Sequence, residues 1–340
     1  MTISIKLART VKDLLMMAQT EYFDAGHRTC QGCESAMVLR WVAKAAGPNT
    51  IVIGATGCMY VANTTYYTTA WALPWIHTQL SGTGSAVVGT AAALKALIEK
   101  GKLPNEKINV IGICGDLGCA DAGLSEVSNA LTHTKYNFLI LMYDNESSAN
   151  TDIQETTMTP YGALTTFSPS GKQVRIMKYR WKKNMAAMMA VGHPEVRYVA
   201  TATAADPIDL YNKVKKALEI GGPTFIHTLD PCPKGWGYDP KYSHEIGRLA
   251  VETGIWPLFE IEDGKFRLTS TSARIASGEI KRKPVKEYLR RQTRFKHLTD
   301  EDIEYIQKKV DEMWEKWLIP GLIPLTRELP YPEVTKASTK

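Results

Sequence analysis

Between Ile108 and Gln154 the chain runs from one apolar strand, through a helix of small residues, into a second apolar strand, and both strands end in oxygen-bearing side chains. The first ends in Gly115-Asp116; the second ends in Asp144-Asn145-Glu146-Ser147, with Asn150-Thr151 just beyond. A strand-helix-strand unit of this kind pairs its strands in parallel, and a right-handed crossover puts both C-terminal ends on one edge of the sheet. Asp116 then supplies charge, Asn145 a neutral oxygen, and the Ser147 carbonyl an oxygen that needs no particular side chain. Hard oxygens suit Mg²⁺, which completes its octahedron with phosphate oxygens and water. The helix N-terminus between the strands is itself an anion site. A strand-end Asp and a turn Asn are common separately; their convergence on one edge is what points to a metal-held diphosphate.

The same alternation continues on both sides and predicts a doubly wound parallel sheet with a C-terminal extension. Met37, Val38, Trp41, Val42 and Ala45 at helical spacing predict a helix over 35–46, ended by Gly47-Pro48. A buried strand over 50–54 follows, with Cys58 in the turn at its C-terminal end, the edge where such sheets place their sites. Further helices are expected from Ser81-Gly82-Thr83-Gly84 to about Lys100, over 178–191 and over 207–220. Strands are expected over 196–201 and 224–229, the latter as the last of the core. The aromatic loop 63–75 reads equally as a ligand-binding loop or a subunit interface, and a loop as long as 156–172 is expected to be functional or disordered. At Gly82 and Gly84 tight helix packing is the favoured reading. Residues 1–25 read as an N-terminal arm, 26–255 as the core domain, and 256–340 as an extension packing on partner subunits. That extension holds a hairpin around Asp263-Gly264, a basic run from Lys281 to Lys296, an amphipathic helix over 300–318 and a proline-rich tail.

Composition narrows the compartment more than the chemistry. With 340 residues, 44% of them hydrophobic, the chain can bury one large α/β core. The net charge of +6, spread over 41 basic and 35 acidic residues, does not specify nucleic acid, and the basic run reads as a solvated or inter-subunit face. No apolar run reaches bilayer length and the N-terminus lacks a signal-peptide core, so a cytoplasmic location with no membrane partner is expected. Reduced thiols follow, and structural disulfides are not expected among the six cysteines. Cys30, Cys33, Cys58 and Cys232 lie in loops beside Gly or Pro, with Gly32 letting the Cys-x-x-Cys turn fold tightly. On ligand type alone they fit a [4Fe–4S] cluster or a structural zinc equally. Cys114 and Cys119, which flank Gly115-Asp116, read as buried small residues.

The succession Cys-x-x-Cys, Ala55-Thr56-Gly57-Cys58, Gly115-Asp116, Tyr143-Asp144-Asn145-Glu146 with Asn150-Thr151, and Asp230-Pro231-Cys232-Pro233 resembles the β subunit of the multi-subunit 2-oxoacid:ferredoxin oxidoreductases, the pyruvate type above all. The resemblance spans nearly the whole chain, taking in the segments around His77, Met158 to Gly162, Ser168 to Lys172 and Ala250 to Ile255. It implies a thiamine diphosphate-binding fold, with Mg²⁺ held by Asp116, Asn145 and the Ser147 carbonyl, and a [4Fe–4S] cluster on Cys30, Cys33, Cys58 and Cys232. Gly115, Leu117, Gly118, Thr151, Cys58 and His77 would line the cofactor, and Asn150 would act beside its thiazolium as a catalytic residue. The implied reaction decarboxylates a 2-oxoacid oxidatively to acyl-coenzyme A and CO₂, with electrons leaving through the cluster to ferredoxin or a related acceptor. Pyruvate is the favoured substrate, with phenylglyoxylate or a branched-chain 2-oxoacid as alternatives. α, γ and ferredoxin-like δ subunits are implied partners, the α subunit supplying the glutamate at the thiamine pyrimidine and the arginine that clamps substrate. Three positions depart from the family: Leu117 and Asp152 stand where glycine is usual, and Asn63-Thr64-Thr65-Tyr66-Tyr67 replaces Thr-Thr-Pro-Tyr-Pro.

Overall fold

The computed structural model describes residues 5–64 and 69–323. Its eight strands are β1 (Thr50–Ala55), β2 (Trp75–Thr78), β3 (Asn109–Gly115), β4 (Phe138–Asp144), β5 (Tyr198–Ala202), β6 (Pro223–Leu229), β7 (Phe259–Glu262) and β8 (Lys265–Leu268). They form one sheet in the order β2-β1-β3-β4-β6-β5-β7-β8. The first six are parallel and the last two antiparallel. β4 (FLILMYD) is buried at every position, as a strand covered on both faces must be, which is why it reads as an unbroken apolar run. Its Leu139 and Leu141 face one layer with helices Glu34–Ala46 and Pro207–Glu219. Ile140 and Met142 face the other, with Thr83–Glu99, Leu124–Leu131 and Met185–Gly192. Each such fully buried aliphatic side chain contributes about 1.5–3 kcal/mol relative to exposure.

Register places the site. Gly115 pairs with Tyr143, and Tyr143 and Asp144 pair with Thr228 and Leu229, so at the ends of three neighbouring strands Asp116 stands level with Asp144, and Asn145 with Asp230. The return helix packs tightly where the sequence suggested: a Cβ on Gly84 would lie 2.1 Å from the Glu126 carbonyl oxygen.

Several expectations are corrected. Residues 75–78 are an edge strand, not a loop, because β1 offers them a free parallel edge. β6 is not the last strand, since the 259–268 hairpin adds antiparallel to β5. Residues 178–184 are not helical; the helix starts at Met185, where the Asn184 side chain accepts from the Ala187 amide. The small-residue helix after Asp116 opens as a wide turn over Leu117–Asp121, closed by Ala122 N–H to Leu117 O, and becomes α-helical only at Leu124. A disulfide joins Cys114 to Cys119, against the expectation of free thiols, because the turn between them doubles back on β3.

The N-terminal segment is anchored by Asn212, whose side-chain amide exchanges two 2.8 Å hydrogen bonds with the Ala8 backbone. At the other end, helices Val285–Leu289 and Asp300–Met313 turn their apolar faces onto Leu229, Trp236, Ile246 and Leu249. Tyr66, Tyr67 and the proline-rich tail beyond residue 323 lie outside the described residues. Among the described residues no helix is long and apolar enough to cross a membrane.

Candidate cofactor edge and thiol cluster

Asp116 is 2% exposed and accepts 2.8 Å from Thr156 Oγ1, yet no cation pairs with it among the described residues. Burial, and then the negative charge of Asp144, push its carboxyl well above the usual carboxylate range. Beside it, the buried Asn145 Oδ1 and Ser147 Oγ have no hydrogen-bond partner. The Ser147 carbonyl accepts one bond, from Ala149 N–H at 2.8 Å, leaving its second lone pair. Buried polar atoms are seldom left this way, because each unmet group costs about 1–3 kcal/mol. The carboxylate, the orphaned Asn145 Oδ1 and the free lone pair of the Ser147 carbonyl fit a hard divalent cation with phosphate oxygens as its remaining ligands.

Behind this edge lies a closed charge network. Asp144 Oδ2 pairs with Lys182 Nζ at 2.6 Å and with His227 Nε2 at 2.8 Å. Burial raises the Asp144 carboxyl, but Lys182 and the His227 bond outweigh it and hold it below its ordinary value. Burial lowers the His227 imidazole despite its carboxylate partner, so it stays neutral near pH 7. Glu146 bridges Lys182 at 2.7 Å and Arg294 at 2.6 Å, both of its partners being drawn from outside the motif. Arg294 stacks 3.9 Å from the Trp236 ring, whose indole N–H donates 2.8 Å to the Asn145 carbonyl. This network fixes the Asn145 backbone from below, and its charges are already matched, so Asp144 and Glu146 are not spare metal ligands.

Cys30, Cys33, Cys58 and Cys232 are all free. Gly32 between the first two has φ +67°, and a Cβ there would meet Pro240 O at 2.5 Å, so only glycine closes this turn. Burial pushes the Cys33 thiol up, and the charges of Cys232 and Cys58 push it further. Cys58 rises to about 12 by burial and then by Cys232 and Cys30, so the four thiols stand within electrostatic reach of one another. The Gly235 N–H donates 3.3 Å to Cys232 Sγ, and Gly235 also abuts Ser147 Oγ, which puts the thiols next to the oxygen edge. Among the described residues no group of three or more His, Cys, Asp or Glu side chains is gathered closely enough to hold a single metal ion.

Asn150 is exposed, and its side chain stands near enough to Cys58 to lower that thiol's pKa, linking the two halves of the site. Thr151 Oγ1 bonds Ser148 Oγ at 2.9 Å in the same exposed turn. His77 is exposed at the end of β2, its Nε2 2.9 Å from Thr56 Oγ1, and burial lowers its pKa. Leu117 has no positive φ, so it needs no glycine; Gly118 is the crowded position, where a Cβ would lie 2.9 Å from Leu80 O. Asp152, by contrast, holds φ +91°, a conformation suited to the glycine usual there. Thr156, Lys182, His227 and Arg294 were not singled out by the sequence as site residues. Arg294 sits in the basic run read as a solvated or inter-subunit face, but it is 4% exposed and paired inward within this chain. Arg282, Lys286, Arg290 and Arg291 in that run also pair with acidic side chains.

Residues 55–228 match the family model described as the thiamine pyrophosphate enzyme, C-terminal TPP binding domain. The chain is 50% identical to pyruvate synthase subunit PorB of Methanocaldococcus jannaschii, covering 88% of this chain and 97% of that protein. It is 40% identical to PorB of Pyrococcus furiosus, with 91% and 97% covered. It is also 40% identical to ketoisovalerate oxidoreductase subunit VorB of Pyrococcus abyssi, with 92% and 97% covered. Among solved structures it resembles the 2-oxoglutarate:ferredoxin oxidoreductase from Magnetococcus marinus with 2-oxoglutarate, coenzyme A and succinyl-CoA bound. That match has a TM-score of 0.50 and 18% identity over 67% of this chain and 79% of that one, a likeness of fold.

Proposed function

The chain belongs to the β-subunit family of the thiamine-dependent 2-oxoacid:ferredoxin oxidoreductases, and on that premise we propose how its residues serve the reaction. Asp116, Asn145 and the Ser147 carbonyl hold Mg²⁺, with Gly115, Leu117 and Gly118 forming the turn against the diphosphate. Cys30, Cys33, Cys58 and Cys232 hold a [4Fe–4S] cluster. The observation that carries this reading is the buried, unpartnered Asn145 Oδ1 beside a buried Asp116 that no cation pairs, with the second lone pair of the Ser147 carbonyl at hand and four free thiols a step away. Thiamine diphosphate supplies the electron sink for decarboxylating a 2-oxoacid, and the protein positions it and excludes water.

This chain's own residues do the rest. Thr156 orients the Asp116 carboxylate, and the Trp236 indole fixes the Asn145 backbone. Asn150, near Cys58, stands where a substrate polar group would meet both halves of the site. His77 lines the exposed entrance. The cofactor residues lie within 26–255, buttressed by Arg294 of the extension, and the outer faces of the arm 1–25 and of the extension 256–340 meet α, γ and ferredoxin-like δ subunits in a cytoplasmic complex. Support for a complex is the naming of the relatives as subunits. Pyruvate is the proposed 2-oxoacid, with coenzyme A as acyl acceptor and ferredoxin or a related protein as electron acceptor. A branched-chain 2-oxoacid is the second reading, because the VorB relative is as similar as the Pyrococcus furiosus PorB.

Anaerobic purification of the complex tests the cofactor set. A brown protein with iron, sulfide and thiamine diphosphate, bleached by dithionite, is expected; a colourless protein loaded with zinc would overturn the cluster assignment.

A further inference from the structure

The Cys114–Cys119 pair has no part in the chemistry above, yet it brackets the turn that carries Asp116. Both side chains are wholly buried, with Cα atoms 5.5 Å apart across a separation of five residues. Cys114 is fixed in β3 by its register with Met142, and Cys119 lies in the wide turn 117–121. Between them run only Gly115, Asp116, Leu117 and Gly118. The turn folds back so closely that a Cβ on Gly118 would lie 3.5 Å from Cys114 Cβ. The pair packs in the layer opposite the one that Cys33 and Cys58 touch, so it is separate from the four-thiol set.

We propose that Cys114 and Cys119 form a reversible dithiol–disulfide pair that locks the Asp116 turn when oxidised and frees it when reduced. Oxidation removes two protons and two electrons from the thiols as the S–S bond forms. The electrons pass to a small disulfide, which is cleaved to two thiols by exchange through a mixed disulfide. Closing so short a turn covalently restricts the motions by which Asp116 can swing away from a bound cation. Because both sulfurs are buried, the exchange partner reaches them only in transient openings of that turn, which the bridge makes rarer but does not abolish and a filled site makes rarer still, so the bridge forms and breaks slowly. The effect on cofactor rests on the assignment of Asp116 as a Mg²⁺ ligand.

The test uses the whole complex, equilibrated anaerobically in mixtures of reduced and oxidised dithiothreitol. Peptide mass spectrometry after denaturing alkylation reads the bridge, and a chase experiment reads thiamine diphosphate release. The bridge is expected to form and break with the mixture, and release is expected to slow about tenfold when it is closed. The double variant C114S/C119S should release at the fast rate in every mixture; Cys119→Ala alone serves the same purpose if the double variant does not assemble. Thiols that alkylate fully in all mixtures, a bridge that never reduces, or release that ignores the bridge would each overturn the proposal. A complex that binds no thiamine diphosphate would overturn the cofactor assignment and with it the lock, and the bridge masses, which need no cofactor, would separate that failure from a failure of the thiol chemistry.

Discussion

Replacing Asp116 with Asn should stabilise the cofactor-free complex while weakening its hold on Mg²⁺ and thiamine diphosphate. The carboxylate accepts from Thr156 Oγ1 and faces the negative charge of Asp144, while Lys182 is already engaged by Asp144 and Glu146. The folded-state pKa of Asp116 is raised above its unfolded value, so the folded chain binds its proton more tightly. Its contribution is therefore most favourable at acid pH, and stability falls as pH rises from the unfolded carboxylate range through the folded value. The Asn side chain keeps an acceptor for Thr156 and carries no charge. The gain should be about 1–3 kcal/mol at neutral pH, the order of the cost of burying a polar group without its partner, here the counter-charge that Asp116 lacks, and a Tm higher by a few degrees. Loss of one full charge at the cation should weaken Mg²⁺-dependent cofactor binding by at least about tenfold, or about 1.4 kcal/mol. Thermal unfolding of stripped complex across pH 5–8, with and without Mg²⁺ and thiamine diphosphate, measures both. A variant less stable than wild type when empty, or one that binds cofactor as wild type does, would refute the reasoning.

Other expectations are more local. Cys232→Ala should lose the cluster although it lies far along the chain from Cys30 and Cys33; an intact four-iron EPR signal on reduction would remove Cys232 from the ligand set. Arg294→Met leaves Glu146 buried with only Lys182, and should cost about 3–5 kcal/mol, read as loss of folded complex in denaturant. Asp152→Gly relieves a positive φ at an exposed position and should raise stability by roughly 1 kcal/mol in the same assay; a loss would mean that the Asp152 side chain has a role of its own.

The parallel core was legible because β3 and β4 are buried on both faces and carry continuous apolar runs. Asp116 and Asn145 were legible because strand direction alone puts them on one edge. The charge network was not. Lys182 lies in an Arg-Trp-Lys-Lys stretch that looks like solvent-facing sequence, and Arg294 comes from a basic run 148 residues beyond its partner Glu146. Pairings at that separation follow from tertiary packing and leave no periodicity to read. The edge strand β2 was missed because four residues following a proline give too short a run to show alternation, and its pairing comes from β1. The Cys114–Cys119 bridge was missed because compartment governed the expectation, whereas the turn geometry brings the two together whatever the compartment.

Turnover by the co-purified complex bears most directly on the central claim. With coenzyme A and a ferredoxin-type acceptor under anaerobic conditions, pyruvate, 2-oxoisovalerate and phenylglyoxylate are offered in parallel, and CO₂ release and acceptor reduction are followed together. Decarboxylation coupled to acceptor reduction, fastest with pyruvate and abolished when thiamine diphosphate or Mg²⁺ is stripped, is the expected result. Preference for 2-oxoisovalerate would move the substrate to the branched-chain class. Decarboxylation of none of the three, by a complex carrying cofactor and cluster, would contradict the function proposed for this site.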